Sequence, residues 1–196
     1  MPLIRKTPAP PGSPSDAGDL HSASADARWA AARRLASPED VPALSTALER
    51  ETEPRVREAI FTSLARIGGV QSARALAERI RSDEAALRTG AIDALRSMGP
   101  EREEVLAELL ADPDGDVRLL ACEIARQGEG ERSGPLLCDL LLRETEPNVA
   151  AAAVEVLTEI GDSRALPALE RCGERFAGEP FLAFAIRIAR ERIGAK

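Results

Sequence analysis

Apolar residues recur along this chain at the spacing of an amphipathic helix, and one short pattern marks the same point in each predicted unit. The pattern is an apolar residue followed, in four of six cases, by arginine. It occurs at Ala27-Arg28, Val56-Arg57, Leu87-Arg88, Val117-Arg118, Val149-Ala150 and Leu182-Ala183. By difference of the first residue numbers, the steps are 29, 31, 30, 32 and 33 residues. Such a period predicts a solenoid, in which each unit buries its apolar face against its neighbours.

Two helices are predicted in each unit. The first carries small or apolar residues three or four positions apart, as at Val56, Ala59 and Ile60, and it ends near glycine, which suits a helix C-terminus. The second carries paired leucine or isoleucine residues. Three prolines fall near the first turn of a second helix, where a missing amide hydrogen costs least: Pro42, Pro135 and Pro167. Strand-like alternation is not evident, so the pattern predicts an all-α fold.

The boundaries between units are also repeated. Residues 112–121 read DPDGDVRLLA, and the pentapeptide RETEP occurs at residues 50–54 and again at 143–147. Asp112, Asp114 and Asp116 have the spacing of the first ligands in a calcium loop. The residues that would complete such a loop belong to the repeating helical stripe, so we predict a joint between two units there.

These boundaries, together with IGDSRALPALE at residues 160–170, resemble HEAT-like repeats of the short type first associated with phycobilin lyase subunits. The resemblance covers residues 26–196, which we predict to form one HEAT-like repeat domain. It implies a right-handed α-α superhelix of about five helix pairs plus a terminal helix. Residues 1–25 are rich in proline and serine, and we interpret them as a flexible tail, with a short recognition segment at residues 3–6 as the alternative.

The resemblance further implies a structural role for the boundary arginines Arg28, Arg57, Arg88 and Arg118. In similar proteins this arginine pairs with acidic residues at neighbouring boundaries. The acids expected to supply those pairs are Glu53, Asp83, Asp112, Asp114 and Asp116. A ladder of guanidinium groups that holds a carboxylate or phosphate ligand is the alternative, and Ala150 interrupts that ladder in the fifth unit.

Composition and charge narrow the possible functions. A formal net charge of −7 argues against binding to a phosphate backbone, which needs a concentrated basic surface, so we do not expect nucleic acid as a partner. No apolar run approaches the roughly 18–20 residues that cross a bilayer, and we expect a cytoplasmic protein with no membrane partner. Lysine occurs only at Lys6 and Lys196, a bias typical of GC-rich bacterial genomes.

Motifs for catalysis or cofactor binding do not occur in the sequence. The single histidine, His21, lies in the predicted tail, and there is no HExxH, nucleophile elbow, Walker loop or GxGxxG,. We therefore predict no catalytic residues, no cofactor, no metal site and no enzymatic activity. Cys122, Cys138 and Cys172 lack CxxC spacing and are expected to be buried or half-buried thiols.

The few aromatic residues are expected at the two ends of the stack. Trp29, the only tryptophan, is interpreted as a cover for the first unit, with an interaction hot spot as the alternative. Phe176, Phe181 and Phe184 are expected to close the other end.

The functional surface is expected on the second helices, which line the concave face of a solenoid built from helix pairs. Residues opposite the buried leucines form a ridge that is acidic in its middle, with Glu101 and Glu103 adding charge and Cys138 adding to an apolar spot at Leu142. The predicted partner-binding residues are Glu78, Arg81, Glu104, Glu108, Asp139, Leu142, Arg171 and Glu174.

This ridge favours a non-enzymatic adaptor or scaffold whose concave face binds a protein or peptide with a basic or mixed apolar and basic surface. A solvated charged face without a partner is the alternative for the ridge itself. The second candidate function is a lyase-subunit-like or chaperone-like protein that handles a tetrapyrrole or an apoprotein. The shortage of aromatic residues disfavours a chromophore site.

Overall fold

The structure is a computed structural model that describes residues 14–128 and 130–194. Within these ranges the chain forms helices and no strands, which confirms the all-α prediction. The helices are α1 Pro14–Asp19, α2 Ala25–Arg34, α3 Val41–Arg50, α4 Pro54–Ile67, α5 Gly69–Arg79, α6 Ala85–Ser97, α7 Glu101–Leu110, α8 Gly115–Ala125, α9 Gly130–Arg143, α10 Pro147–Ile160, α11 Leu166–Arg175 and α12 Pro180–Gly194. Short 3₁₀ turns, Pro38–Asp40 and Ser163–Ala165, precede α3 and α11.

The helices are arranged in two rows. The first row consists of α2, α4, α6, α8, α10 and α12, and the second row of α3, α5, α7, α9 and α11; each helix contacts the next helix of its own row. Each second-row helix also packs against the first-row helix that follows it in the chain. Five helix pairs plus α12 therefore form an α-solenoid, as the repeat pattern predicted.

Local sequence explains where the helices begin and turn. Both copies of RETEP end in a proline that starts a helix, Pro54 in α4 and Pro147 in α10, where the missing amide hydrogen leaves no helical bond unmade. Gly68 and Gly69 have φ angles of 71° and 75°, which only glycine adopts without strain, and they form the tight turn from α4 to α5. The expectation for Pro135 is wrong: α9 starts at Gly130, so this proline lies inside the helix.

The core is built from aliphatic and small side chains, as the composition requires. Leucine, isoleucine, valine and alanine from both rows pack into one continuous buried cluster. The three cysteines are free thiols, with Cys122 and Cys172 buried in this cluster and Cys138 half-buried. Burial raises the pKa of Cys122 to about 12, because a thiolate is disfavoured away from water.

The first end of the stack differs from the sequence interpretation. Helix α1 packs against α2, and Leu20 is buried beside it, although both lie in the range 1–25 that we interpreted as a tail. Packed structure therefore begins before Asp26, while the predicted recognition segment at residues 3–6 lies outside the described residues. Trp29 does not cover this end, since its ring lies between Arg33 of its own helix and Arg55 of α4, with centroid distances of 4.7 Å and 5.9 Å.

At the other end, only one of the three phenylalanines closes the stack. Phe176 is buried, whereas Phe181 and Phe184 are 49% and 58% exposed on α12, so the expected aromatic closure is wrong for these two. At the α12 positions equivalent to Val154 and Leu157 of α10, which are buried, the chain carries Arg187 and Arg190, both exposed. These arginines give α12 a polar face where α10 carries a buried apolar one.

Candidate functional site

The joints between units are held by arginine and buried glutamate. Arg28 donates to both carboxylate oxygens of Glu51, at 2.7 Å and 3.0 Å, and Arg118 does the same to Glu144, at 2.8 Å and 2.9 Å. The remaining guanidinium nitrogen of each arginine donates to backbone carbonyls of the preceding turn, those of Ser22 and Asp112 at 2.9 Å and 2.8 Å. One side chain thus joins its own turn to the boundary of the following unit.

The other two boundary arginines make parts of the same arrangement. Arg57 donates to the carbonyl of Glu51 at 2.5 Å and forms an ion pair with Glu84. Arg88 donates to the carbonyls of Ser82 and Asp83, at 2.7 Å and 3.0 Å. All four therefore bind the backbone of the turn before their own helix.

The acids that we expected to pair with these arginines form no ion pair with them in the described ranges, although the charge of Glu53 acts on Arg28. The carboxylates come from the boundary of the next unit, at Glu51, Glu84 and Glu144, and not from the acids expected from the sequence. Asp112 instead accepts from Arg81 at 2.9 Å, and Asp114 caps α8 by accepting from the amide of Asp116. The available signal was RETEP, because Glu51 and Glu144 are equivalent residues in its two copies.

A second set of arginines satisfies the carbonyl groups at helix C-termini. Arg66 donates to the carbonyls of Arg33 and Leu35, Arg143 to that of Leu110, and Arg175 to those of Leu141, Leu142 and Glu144. The last carbonyls of a helix have no hydrogen-bond partner within it, and an arginine from the neighbouring helix of the same row supplies one. The same arginine places a positive charge near the negative end of the helix dipole.

The electrostatic state of the two buried glutamates follows from these contacts. The hydrogen bond from Arg28 is the main reason why the pKa of Glu51 lies below its ordinary value. Burial pushes the pKa of Glu144 upward, but donation from Arg118 and from the amides of Glu146 and Thr145 outweighs it, and the pKa is again lowered. Both carboxylates are therefore ionised in the folded protein at neutral pH.

All eight predicted partner-binding residues lie at the surface of second-row helices or immediately after them. Three of them already have partners within the chain. Arg81 binds Asp112, Glu78 accepts from Arg79 at 3.0 Å, and Glu108 lies 3.5 Å from Arg74. The ridge is consequently less acidic than its sequence indicates, with charges of both signs along α5.

The acidic character is concentrated on two neighbouring helices, α7 and α9. Glu104, Glu108 and Asp139 are exposed there, and Leu142 is 38% exposed on α9. Glu103, which we had added to the acidic ridge, instead contacts Arg102 and accepts from the buried hydroxyl of Ser133 at 3.1 Å. Its role is to join α7 to α9, and it is not available to a partner.

The first row carries a groove that sequence reasoning missed. A cavity of about 740 Å³ lies between α4 and α6, with Phe61 and Ala65 on one side and Ala86, Gly90 and Ala94 on the other. Equivalent positions to Gly90 are Leu120 in α8 and Ala152 in α10. A glycine in the middle of a predicted helix was the available signal, since it destabilises the helix unless a close contact needs it.

In residues 14–128 and 130–194, no group of three or more histidine, cysteine, aspartate or glutamate side chains is placed to hold a metal ion. No helix in these ranges is both long enough and apolar enough to cross a membrane.

Comparison with known proteins identifies the repeats. A family model for HEAT repeats matches residues 19–96 and 103–175, which is more than half of the chain. The chain belongs to the HEAT-repeat family. The resemblance recognised in the boundary residues is thereby confirmed. No curated protein matches the chain.

The solved structures to which the chain is similar include engineered proteins and a natural complex. An engineered protein from the Northeast Structural Genomics Consortium is 19% identical over 92% of this HEAT-repeat chain and 96% of its own, with a TM-score of 0.42. A designed armadillo repeat protein is 18% identical over 92% and 99%, with a TM-score of 0.40. The complex of CpcE and CpcF of phycocyanin lyase from Nostoc sp. is 18% identical over 98% and 100%, with a TM-score of 0.39.

The joint between the third and fourth units predicts a stability effect. Arg118→Ala leaves the Glu144 carboxylate, whose side chain is 1% exposed, buried without its cation. We expect the free energy of unfolding to fall by about 3 kcal/mol, the scale for removing one partner of a buried ion pair. Urea unfolding followed by circular dichroism measures this loss. Arg50→Ala removes an exposed arginine and is the matched control; equal losses for the two variants would contradict a structural role for Arg118.

The lowered pKa values of Glu51 and Glu144 predict a dependence on pH. A carboxylate with a lowered folded-state pKa stabilises fully above its unfolded pKa, near 4.3, and loses this contribution as the pH falls through the folded value. The variant Glu51→Gln with Glu144→Gln should be clearly less stable than the natural chain at pH 7, and the gap should narrow below about pH 4. Urea unfolding at both pH values tests this, with Glu39→Gln and Glu174→Gln as exposed controls. A gap of constant size would contradict it.

Proposed function

We propose that this HEAT-repeat chain is a non-enzymatic scaffold that binds another protein through the surface of α7 and α9. The observation that carries the proposal is the combination of Leu142, an exposed apolar side chain, with the exposed carboxylates of Glu104, Glu108 and Asp139 on these two helices. An exposed apolar side chain on a surface that also carries carboxylates is the composition of an interface centre with a polar rim.

The partner that fits this surface presents an apolar side chain flanked by basic residues. Leu142 would supply an apolar contact from which water is excluded on binding, while the three carboxylates would attract the partner and orient it. Arg171 and Glu174 of α11, with Glu78 and Arg81 near α5, lie on either side in the same row and would extend the contact in a larger complex. We take the second row to be the concave face, so that a helix or an extended peptide could lie across it.

The stiffness of the solenoid supports this role, in addition to the chemistry of its surface. The Arg118–Glu144 joint ties α8 to the end of α9, and the hydrogen bond from Ser133 to Glu103 ties α9 to α7, so the residues of this surface are held in place before a partner arrives. A preorganised surface loses less conformational entropy when it binds. The low aromatic content, 3% of residues, favours recognition of a protein surface over enclosure of a flat chromophore.

Charge reversal on α7 tests the proposal. The double variant Glu104→Lys with Glu108→Lys should lower the affinity for the partner at least tenfold, mainly through a slower association rate, because two attractive charges become repulsive. Both side chains are exposed, so the melting temperature should stay nearly unchanged.

The measurement begins with affinity capture from the native host and continues with the purified partner, titrated against each variant by surface plasmon resonance. The matched control is Glu39→Lys with Asp83→Lys, which changes the net charge equally at exposed turn positions. Undiminished binding by the α7 variant, or equal loss in the control, would refute the proposed surface.

A further inference from the structure

Helix α12 carries an apolar stripe that faces solvent. Phe181, Phe184 and Ile188 are 49%, 58% and 37% exposed, and they account for three of the four exposed large hydrophobic residues in the described ranges. Their spacing of three and four places them along one side of the helix. Exposed aromatic side chains are enriched at protein interfaces and are uncommon elsewhere on a soluble surface.

This stripe is a property of α12 and not of the repeat. The equivalent positions in the other first-row helices are Asp26, Trp29 and Arg33 in α2, Arg55, Glu58 and Thr62 in α4, Ala86, Thr89 and Asp93 in α6, Asp116, Leu119 and Glu123 in α8, and Asn148, Ala151 and Glu155 in α10. With the exceptions of Trp29 and Leu119, those residues are polar or small. The chain has four phenylalanines, and two of them lie exposed in this stripe, where the only other aromatic residue at an equivalent position is Trp29 of α2.

Arginine side chains flank the stripe on both sides. Arg187 lies over the ring of Phe184 at 5.0 Å and pairs with Glu191 at 3.4 Å. Arg192 is exposed on the side of the stripe and has no acidic partner among the residues that the structure describes, whereas Arg190 lies on the opposite side of the helix,. Helix α12 is thus a basic, aromatic helix on a chain whose net charge is −7.

The groove between α4 and α6 has the complementary shape. Its floor is apolar because α6 presents Ala86, Gly90 and Ala94 on successive turns toward α4. A Cβ atom on Gly90 would lie 2.2 Å from the ring of Phe61, so that ring packs against the bare backbone and leaves the space beside it open. The volume of about 740 Å³ lies within the range of roughly 300–1,000 Å³ that encloses ligand groups.

The groove also has the complementary charge. Of its two arginines, Arg57 is held by Glu84 and Arg66 by the carbonyls of α2. Its acids are less engaged: Asp93 lies 4.0 Å from Arg96, and Glu58 has no hydrogen bond or ion pair within the described part of the chain. The charged groups of the groove that remain exposed to a ligand are therefore the carboxylates of Glu58 and Asp93, beside an apolar floor.

We propose that α12 of one copy of this chain docks into the groove between α4 and α6 of a second copy. Phe181 and Phe184 enter the apolar space beside Phe61, and Arg187 and Arg192, which flank the stripe on α12, lie against the rim acids Glu58 and Asp93. The two contacting surfaces are different, so the contact is heterologous: reciprocal docking closes a dimer, and one-way docking extends a chain of copies. The interface is small, and a dissociation constant on the order of 10 µM is expected for one of this class.

Sedimentation velocity of the full chain from 5 to 500 µM tests the proposal, with concentrations chosen on the order of the expected constant. The natural chain should pass from the monomer mass of 20.9 kDa to a larger species as concentration rises, and added salt should reverse this. A chain that stays monomeric throughout overturns the proposal. The variant Glu104→Lys with Glu108→Lys should associate normally, which separates this contact from the proposed partner surface.

Two variants, alone and mixed, identify the surfaces. The stripe variant is Phe181→Asp with Phe184→Asp, and the groove variant is Glu58→Arg with Asp93→Arg; all four side chains are exposed, so circular dichroism should show folded proteins. Each variant alone should remain monomeric, while a 1:1 mixture should form a complex, because the mixture restores one intact stripe and one intact groove. Self-association of the groove variant alone, or a mixture without a complex, overturns the proposal. Glu39→Arg with Asp83→Arg is the charge-matched control and should associate like the natural chain.

Discussion

The bidentate contact between a boundary arginine and a buried glutamate of the next unit is the interaction on which the rest of the solenoid depends. At Arg28–Glu51 and Arg118–Glu144, one guanidinium binds a carboxylate with two nitrogens and the preceding turn with the third. Lysine could not do this, because an ammonium group lacks the planar fork that satisfies a carboxylate and a carbonyl together. The buried carboxylate would be costly without its cation, so the contact is formed correctly or the joint is destabilised.

This contact fixes the register between neighbouring helices, which their apolar surfaces alone specify only weakly. Alanine and leucine can pack in several sliding arrangements of similar energy, since their contacts are non-directional. A hydrogen-bonded ion pair is directional, and it excludes those alternatives. Directional hydrogen bonds also form at the opposite ends of the helices, where arginines bind C-terminal carbonyl groups: Arg66, Arg143 and Arg175. Both proposed binding surfaces rely on this register because each is assembled from residues of two adjacent helices.

The sequence predicted the fold well because period and helix ends are local properties. Pro54, Pro147 and the Gly68-Gly69 turn can be interpreted without knowing their neighbours. The partner of Arg118 could not be predicted in this way. Asp112, Asp114 and Asp116 are close to it in sequence, whereas Glu144 approaches it only when the chain folds. The exposure of Phe184 and the groove beside Gly90 could not be predicted for the same reason, because both depend on how adjacent helices pack. An apolar residue on a helical stripe predicts burial, and only the packing of adjacent helices decides whether a neighbour is there to bury it.

The two proposed surfaces can act independently because they lie on different rows. Glu104, Glu108, Asp139 and Leu142 belong to the second row, whereas the groove and the stripe of α12 belong to the first, and a layer of buried side chains separates them. Substitutions at separated, exposed positions without shared partners are usually additive. Coupling would require the register between the rows to change, and the buried ion pairs oppose such a change. Self-association through the first row would therefore leave the second row open and bring several copies of the α7–α9 surface together, which raises avidity for a partner with repeated binding segments.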